Sequence, residues 1–193
     1  MSRIRWYRFA YIVCWPLCQL LYPHRVVGRE NVPDGPCIIC APHSNALDPI
    51  LISVSLGIRH YVRHLAKVET ETMPFVGWFM KNCGSIFVRR GESDINAFKQ
   101  CMRALKDGEK LMIFPEGTRV HGDAHVEPKN GAVRLAAKLH VPILPVYVPR
   151  DKKLFHPTEV IIGKPYTVEA APHTDYEALA RESMDRIWEL RGA

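Results

Sequence analysis

The sequence predicts an α/β fold, with a central mostly parallel or mixed sheet and helices on both faces, preceded by a short membrane-associated N-terminal helical segment. Three observations carry this. Short apolar runs of strand length alternate with helical patterns after residue 36. Clusters of Pro, Gly, Asn and Asp punctuate them. Residues 1–29 hold Arg3, Arg5, Arg8, Arg25 and Arg29, no acidic residue, and one long apolar run.

That run, Phe9 to Tyr22, contains Gln19 and Pro16 and is shorter than the roughly 20 apolar residues a spanning helix needs. Trp6, Tyr7, Trp15 and Tyr22 are residue types favoured at a water–lipid boundary. A helix lying in one leaflet is therefore expected, against the alternative of a first helix packed on the core. The turn cluster Asn31-Val-Pro-Asp-Gly-Pro36 ends this segment. It divides the chain into a membrane-associating segment, 1–30, and a domain, 31–193.

Cys37-Ile-Ile-Cys40-Ala41 is read as a buried strand. Asp48-Pro49 starts a helix, with Asp as N-cap, that stops at Gly57. Strands are expected at 58–65, 84–88 and 111–114, and helices at 93–106 and 130–140. The two prolines in Val141–Val148 suggest an edge or irregular strand. Val160–Ile162 is a last short strand. Tyr176–Leu190 is a helix with the stripe Ala180, Met184, Ile187 and Trp188.

Composition narrows the function classes. In 193 residues, 47% are hydrophobic and 24% charged, which is globular and neither disordered nor multi-pass. Six cysteines are too few for a disulfide scaffold, no secretory signal is read, and a cytoplasmic setting follows. The net charge is +6, of which +5 lies in residues 1–29. The remainder is nearly balanced, which argues against nucleic acid and for an anionic membrane surface.

Three strand-end loops carry candidate chemistry. His43-Ser-Asn-Ala-Leu-Asp48 supplies a base and a carboxylate that can meet only if the chain turns between them. Ser44 lacks the glycine-flanked turn of a hydrolase nucleophile. Phe114-Pro-Glu-Gly-Thr-Arg119 places Glu116, Thr118 and Arg119 in one tight turn, and arginine there suits phosphate. Gly84-Ser-Ile-Phe-Val-Arg-Arg90 ends a strand in paired arginines. Cys37 and Cys40, three apart on a strand, point to opposite faces, so no metal site is expected.

The four segments 43–48, 84–90, 114–119 and Val141-Pro-Ile-Leu-Pro145, in this order, resemble the motifs of the glycerolipid acyltransferase family. The first is similar to its His-x-x-x-x-Asp, and in the second Arg90, not Arg89, occupies the arginine position. Lys67–Trp78 and Lys129-Asn-Gly-Ala132 are similar to further family features. The resemblance implies that His43 is the base and Asp48 its orienting partner. It implies an acceptor site of Arg90, Glu116, Gly117, Thr118 and Arg119, joined by Lys67. The implied reaction moves an acyl group from an acyl thioester to the hydroxyl of 1-acyl-glycerol 3-phosphate, giving phosphatidate. The donor is acyl-CoA or acyl-acyl-carrier-protein, with no cofactor or metal, at the cytoplasmic face of the membrane. Glycerol 3-phosphate or another lysophospholipid is the alternative acceptor. A thioesterase or esterase is the rival of another class, and it would not need cations in two loops.

Overall fold

The computed structural model describes residues 2–89, 94–122 and 124–192. Arg90, the arginine expected from the second motif, lies outside the described residues.

The chain opens with α1 (Arg3–Leu21), capped by the Ser2 hydroxyl and continuous through Pro16. Tyr7, Tyr11, Cys14 and Cys18, spaced three and four apart, form its inner stripe. This stripe packs on α2 (Asp48–Leu56), where the Tyr11 hydroxyl donates to the Val54 carbonyl at 3.1 Å. Between these helices lie β1 (His24–Val27) and β2 (Ile38–Cys40). β3 (Val62–Lys67) starts later than expected, because Gly57 to His60 form a turn closed by a 3.1 Å backbone bond. α3 (Val76–Asn82), β4 (Ile86–Val88), α4 (Ile95–Lys106) and β5 (Lys110–Ile113) follow. The chain then forms α5 (Gly131–Leu139), β6 (Ile143–Tyr147), β7 (Thr158–Ile162) and α6 (Tyr176–Glu189).

The seven strands make one mixed sheet in the order β1-β7-β6-β2-β5-β3-β4, parallel except where β6 meets β7. Helices α4, α5 and α6 pack on one face and α1 and α2 on the other. Strand alternation divides the core accordingly. Ile38 and Cys40 enter one layer, and Cys37 and Ile39 the other. Burial pushes the Cys37 and Cys40 thiols up to about 11 and about 12, so both stay protonated at neutral pH.

Two expectations need correction. β6 is an interior strand, flanked by β7 and β2, and not an edge. Its Pro145 is tolerated because its nitrogen shares the edge on which its carbonyl accepts from Gly163. There pairing with β7 gives way to the isolated Ile143–Tyr166 bridge, so the missing N–H falls where the ladder is already interrupted. Residues 1–30 also supply β1, which pairs with β7 over His24 to Val27, so the sheet takes its outermost strand from within that segment.

Candidate active site

The parallel strands β2 to β6 all end at one edge of the sheet, and their following residues converge there. β2 is central and delivers His43. The turn expected between His43 and Asp48 is present: the Asp48 N–H donates to the Asn45 carbonyl at 3.1 Å, and the Leu47 N–H to Asn45 Oδ1 at 3.0 Å. The Asp48 carboxylate is not the helix cap it was expected to be. It folds back over the loop, and its Oδ2 lies 3.1 Å from His43 Nδ1 while accepting the Ser44 and Asn45 N–H groups, each at 2.7 Å. Helix capping by Leu47 involves no side chain.

These contacts assign the imidazole. An ionised Asp48 accepts from Nδ1–H, which leaves the lone pair on Nε2. Among the described residues Nε2 has no hydrogen-bond partner. The ring lies on the Phe114 ring, with centroids 4.2 Å apart and planes 21° from parallel. Burial alone pushes the Asp48 carboxyl up. The hydrogen bond with His43 and the charge of Lys152 outweigh it and hold the group below the usual carboxylate range.

Behind His43 stands a second buried carboxylate. Glu116 Oε2 accepts the His43 backbone N–H at 2.7 Å, and Oε1 pairs with the Arg150 guanidinium. Arg150 also donates to the carbonyls of Gly122 and Ala124, at 3.2 and 2.8 Å, and stacks over Trp188 of α6. Glu116 is 2% exposed and both its oxygens are engaged. It therefore braces the His43 loop and offers no free edge to an acceptor, a correction to the sequence expectation. The Val120 N–H closes the frame on the His43 carbonyl at 2.7 Å.

The rest of the Phe114–Arg119 turn faces outward. Its carbonyl–amide bond, Gly117 N–H to Phe114 O at 3.0 Å, needs a positive φ of 66° at Gly117, which glycine adopts without strain. Thr118 and Arg119 are exposed. The Lys129 stem lies across Gly117, 3.5 Å from where a Cβ would stand, and its N–H donates to the Pro115 carbonyl at 2.7 Å. Lys67 ends β3 beside Val88 of β4, pairs with Glu69 at 3.1 Å and is half in solvent. Arg89 follows directly and is exposed. Lys67, Arg89 and Arg119 thus end or follow three neighbouring strands, β3, β4 and β5, of which β5 pairs with the strand that delivers His43.

Sequence reasoning missed Arg150 and Lys152. Lys152 Nζ lies 2.5 Å from Asp48 Oδ1 and 2.9 Å from Ser44 Oγ, with its side chain 1% exposed. The signal was available: Pro149-Arg-Asp-Lys-Lys153 directly follows an expected strand, as the three motif loops do.

Comparison with known proteins identifies the family. A family model described as Acyltransferase matches residues 24–149. A chloroplastic 1-acyl-sn-glycerol-3-phosphate acyltransferase of Brassica napus is 35% identical over 130 residues, which is 65% of this chain and 37% of that protein. The 1-acyl-sn-glycerol-3-phosphate acyltransferase of Bacillus subtilis is 31% identical over 147 residues, 73% of this chain and 72% of that protein. For most of the curated relatives it matches, the chain spans about half of their length or less. The crystal structure of the 1-acyl-sn-glycerophosphate acyltransferase PlsC from Thermotoga maritima superposes with a TM-score of 0.74, at 24% identity. It covers 98% of this chain and 77% of that one, and it shows a shared fold. The matched residues run from the start of β1 to just past the end of β6 and include every strand end that frames His43; by that match the chain belongs to the Acyltransferase family.

Proposed function

We propose that the protein transfers an acyl group from an acyl thioester to the free hydroxyl of 1-acyl-glycerol 3-phosphate, giving phosphatidate. The observation that carries this reading is the imidazole whose Nδ1 is held by Asp48 while Nε2 has no hydrogen-bond partner among the described residues, at the sheet edge where β3, β4 and β5 end in cations. The acceptor hydroxyl oxygen attacks the thioester carbonyl carbon as its proton passes to His43 Nε2. Asp48 stabilises the imidazolium that forms. The carbon–sulfur bond then breaks, and the leaving thiolate takes up the proton. A thiol with a pKa near ~8.5 leaves with little acid assistance, so one base suffices. Lys67, Arg119 and Arg90 are proposed to meet the acceptor phosphate, with Gly117 and Thr118 shaping the loop that presents Arg119.

Arg119 tests the acceptor. Loss of a hydrogen bond to a charged group costs about 1.5–3 kcal/mol, so Arg119→Ala should lower kcat/KM for lysophosphatidate by roughly 10- to 150-fold. Transfer to an uncharged monoacylglycerol should change far less. Arg119→Lys should recover only part, because a point charge lacks the planar fork. Equal losses with both acceptors would remove phosphate recognition from this loop.

The same reading places the protein on an anionic membrane surface. No described helix is long and apolar enough to cross a membrane. Yet α1 is apolar on both sides: opposite its packed stripe it exposes Phe9, Ile12, Leu17 and Leu20. Trp6 meets Trp78 of α3 with centroids 5.2 Å apart, which extends this surface to Phe75 and Trp78. At the other end of α1, the Phe155 N–H donates to the Leu21 carbonyl at 2.7 Å. Phe75 and Phe155, exposed by 76% and 63%, are both held at a φ of 62°. Phenylalanines fixed in a costly conformation and turned outward favour an apolar partner phase. Tyr22, which closes α1, hydrogen-bonds Asn45 of the catalytic loop at 3.2 Å, so the apolar surface borders the site. Arg3 lies 3.6 Å from Glu109, which leaves Arg5 and Arg8 as the better probes. Replacing both by Gln should weaken binding to phosphatidylserine vesicles by about 1 kcal/mol per charge, roughly 30-fold in all, and less at high salt. Binding unchanged by these substitutions and by Phe155→Ser would contradict membrane docking through this face.

A further inference from the structure

The catalytic carboxylate carries a second partner that its hold on the imidazole does not require. Oδ2 of Asp48 is already met by His43 Nδ1 and two backbone N–H groups. Oδ1 is met by the Lys152 ammonium, whose other two protons have acceptors in Ser44 Oγ at 2.9 Å and the Pro149 carbonyl at 3.1 Å. Burying a lysine head is costly unless it is paired and hydrogen-bonded; here the ammonium pairs with Asp48 and donates to Ser44 Oγ and the Pro149 carbonyl. Lys152 lies three residues beyond the last residue matched by the family model.

The charges around the imidazole come in two pairs. Asp48 of α2 is matched by Lys152, and Glu116 of the loop after β5 by Arg150. Tyr22 reaches the loop through Asn45, and among the described residues Lys67 with its partner Glu69, Arg89 with Asp94, and the exposed Arg119, His121 and Lys129 are further titratable groups at these strand ends. On the outer side of Lys152 stand Arg25, Asp151, Lys153, His156 and Glu159, which line a shallow groove open to water. A buried carboxylate with no other cation would draw a proton onto the imidazole and hold it there, and an imidazolium cannot act as a base.

We propose that Lys152 is a positioning residue for acyl transfer, which neutralises the outer oxygen of Asp48 so that His43 rests unprotonated and ready to take the acceptor's proton. Asp48 remains able to orient the ring through Oδ2. The inference rests on the acyl-transfer reading above, with His43 as the base.

The test is the pH profile of kcat/KM between about pH 5 and 9, read as thiol release from acyl-CoA with lysophosphatidate as acceptor. Wild type, Lys152→Gln, Lys152→Met and Lys152→Arg are compared, each with a melting curve. With the charge removed, the acid limb should move to higher pH by about one to three units. Rates above the new limb should be retained to within several-fold. Lys152→Arg, which keeps the charge, should leave the limb near its wild-type position. A uniform loss at every pH with an unmoved limb in Lys152→Gln and Lys152→Met would overturn the proposal. So would unfolding of both neutral variants, which would assign Lys152 to the fold alone. The two readings fail separately. A wild-type protein that releases no thiol at any pH overturns the acyl-transfer reading, whereas a wild-type acid limb that the neutral variants leave in place overturns only the role of Lys152.

Discussion

Replacing His43 by Ala is expected to lower the rate of transfer by at least roughly a hundred-fold and up to roughly ten-thousand-fold, the usual range for a lost general base. The melting temperature should fall only slightly, and the reason is local. The two bonds that tie this loop down are made by the His43 backbone, to Glu116 Oε2 and from Val120 N–H, and alanine keeps both. Asp48 keeps the Ser44 and Asn45 N–H groups and its ion pair with Lys152, so no buried charge is stranded. The substitution removes the imidazole and its stack on Phe114, and little else. Thiol release measured beside a melting curve checks both halves. A variant that keeps near wild-type transfer would show that another group takes the proton.

Glu116→Ala should produce the largest loss of stability in the site. It strands the Arg150 guanidinium, whose side chain is 10% exposed, and leaves the His43 N–H without an acceptor. Breaking a buried pair by removing one partner costs about 3–5 kcal/mol, which for a chain of this size lowers Tm by roughly 10 °C. Transfer should fall as well, because the strand-end loops around His43 lose their common anchor. Glu116→Gln, which keeps an acceptor for the His43 N–H, should recover part of both losses. If Glu116 instead met substrate directly, Glu116→Ala would lower transfer with Tm unchanged. Differential scanning calorimetry beside the rate separates the two roles.

The fold and most of the motif loops were legible in the sequence because they depend on local signals. A buried strand reads as a short apolar run, and α4 and α6 read from their amphipathic stripes. The turn that joins His43 to Asp48 follows from the strand end before it and the Asp-Pro helix start after it. What escaped depends on strand order. Arg150 and Lys152 reach Glu116, Asp48 and Ser44 around His43 only because β6 lies beside β2, a neighbour more than 100 residues away in the chain, as the Lys152–Ser44 separation of 108 shows. Glu116 read as part of the acceptor site because its buried partners are likewise distant. β1, only four residues long and half-buried, was hidden next to the apolar helix that precedes it. Of the two readings of β6, the edge fails and the irregular strand fits, because Pro145 sits where the ladder is interrupted.

The most direct measurement of the central claim is mass spectrometry of the lipids and thiols formed when the protein is incubated with lysophosphatidate and an acyl thioester, run separately with acyl-CoA and with acyl-acyl-carrier-protein. Transfer by His43 to the bound hydroxyl predicts phosphatidate one acyl chain heavier than the acceptor, with one free thiol for each molecule formed and neither product in His43→Ala. Free fatty acid in place of phosphatidate, formed at the same rate whether or not lysophosphatidate is present, would mean that water is the acceptor and would contradict it.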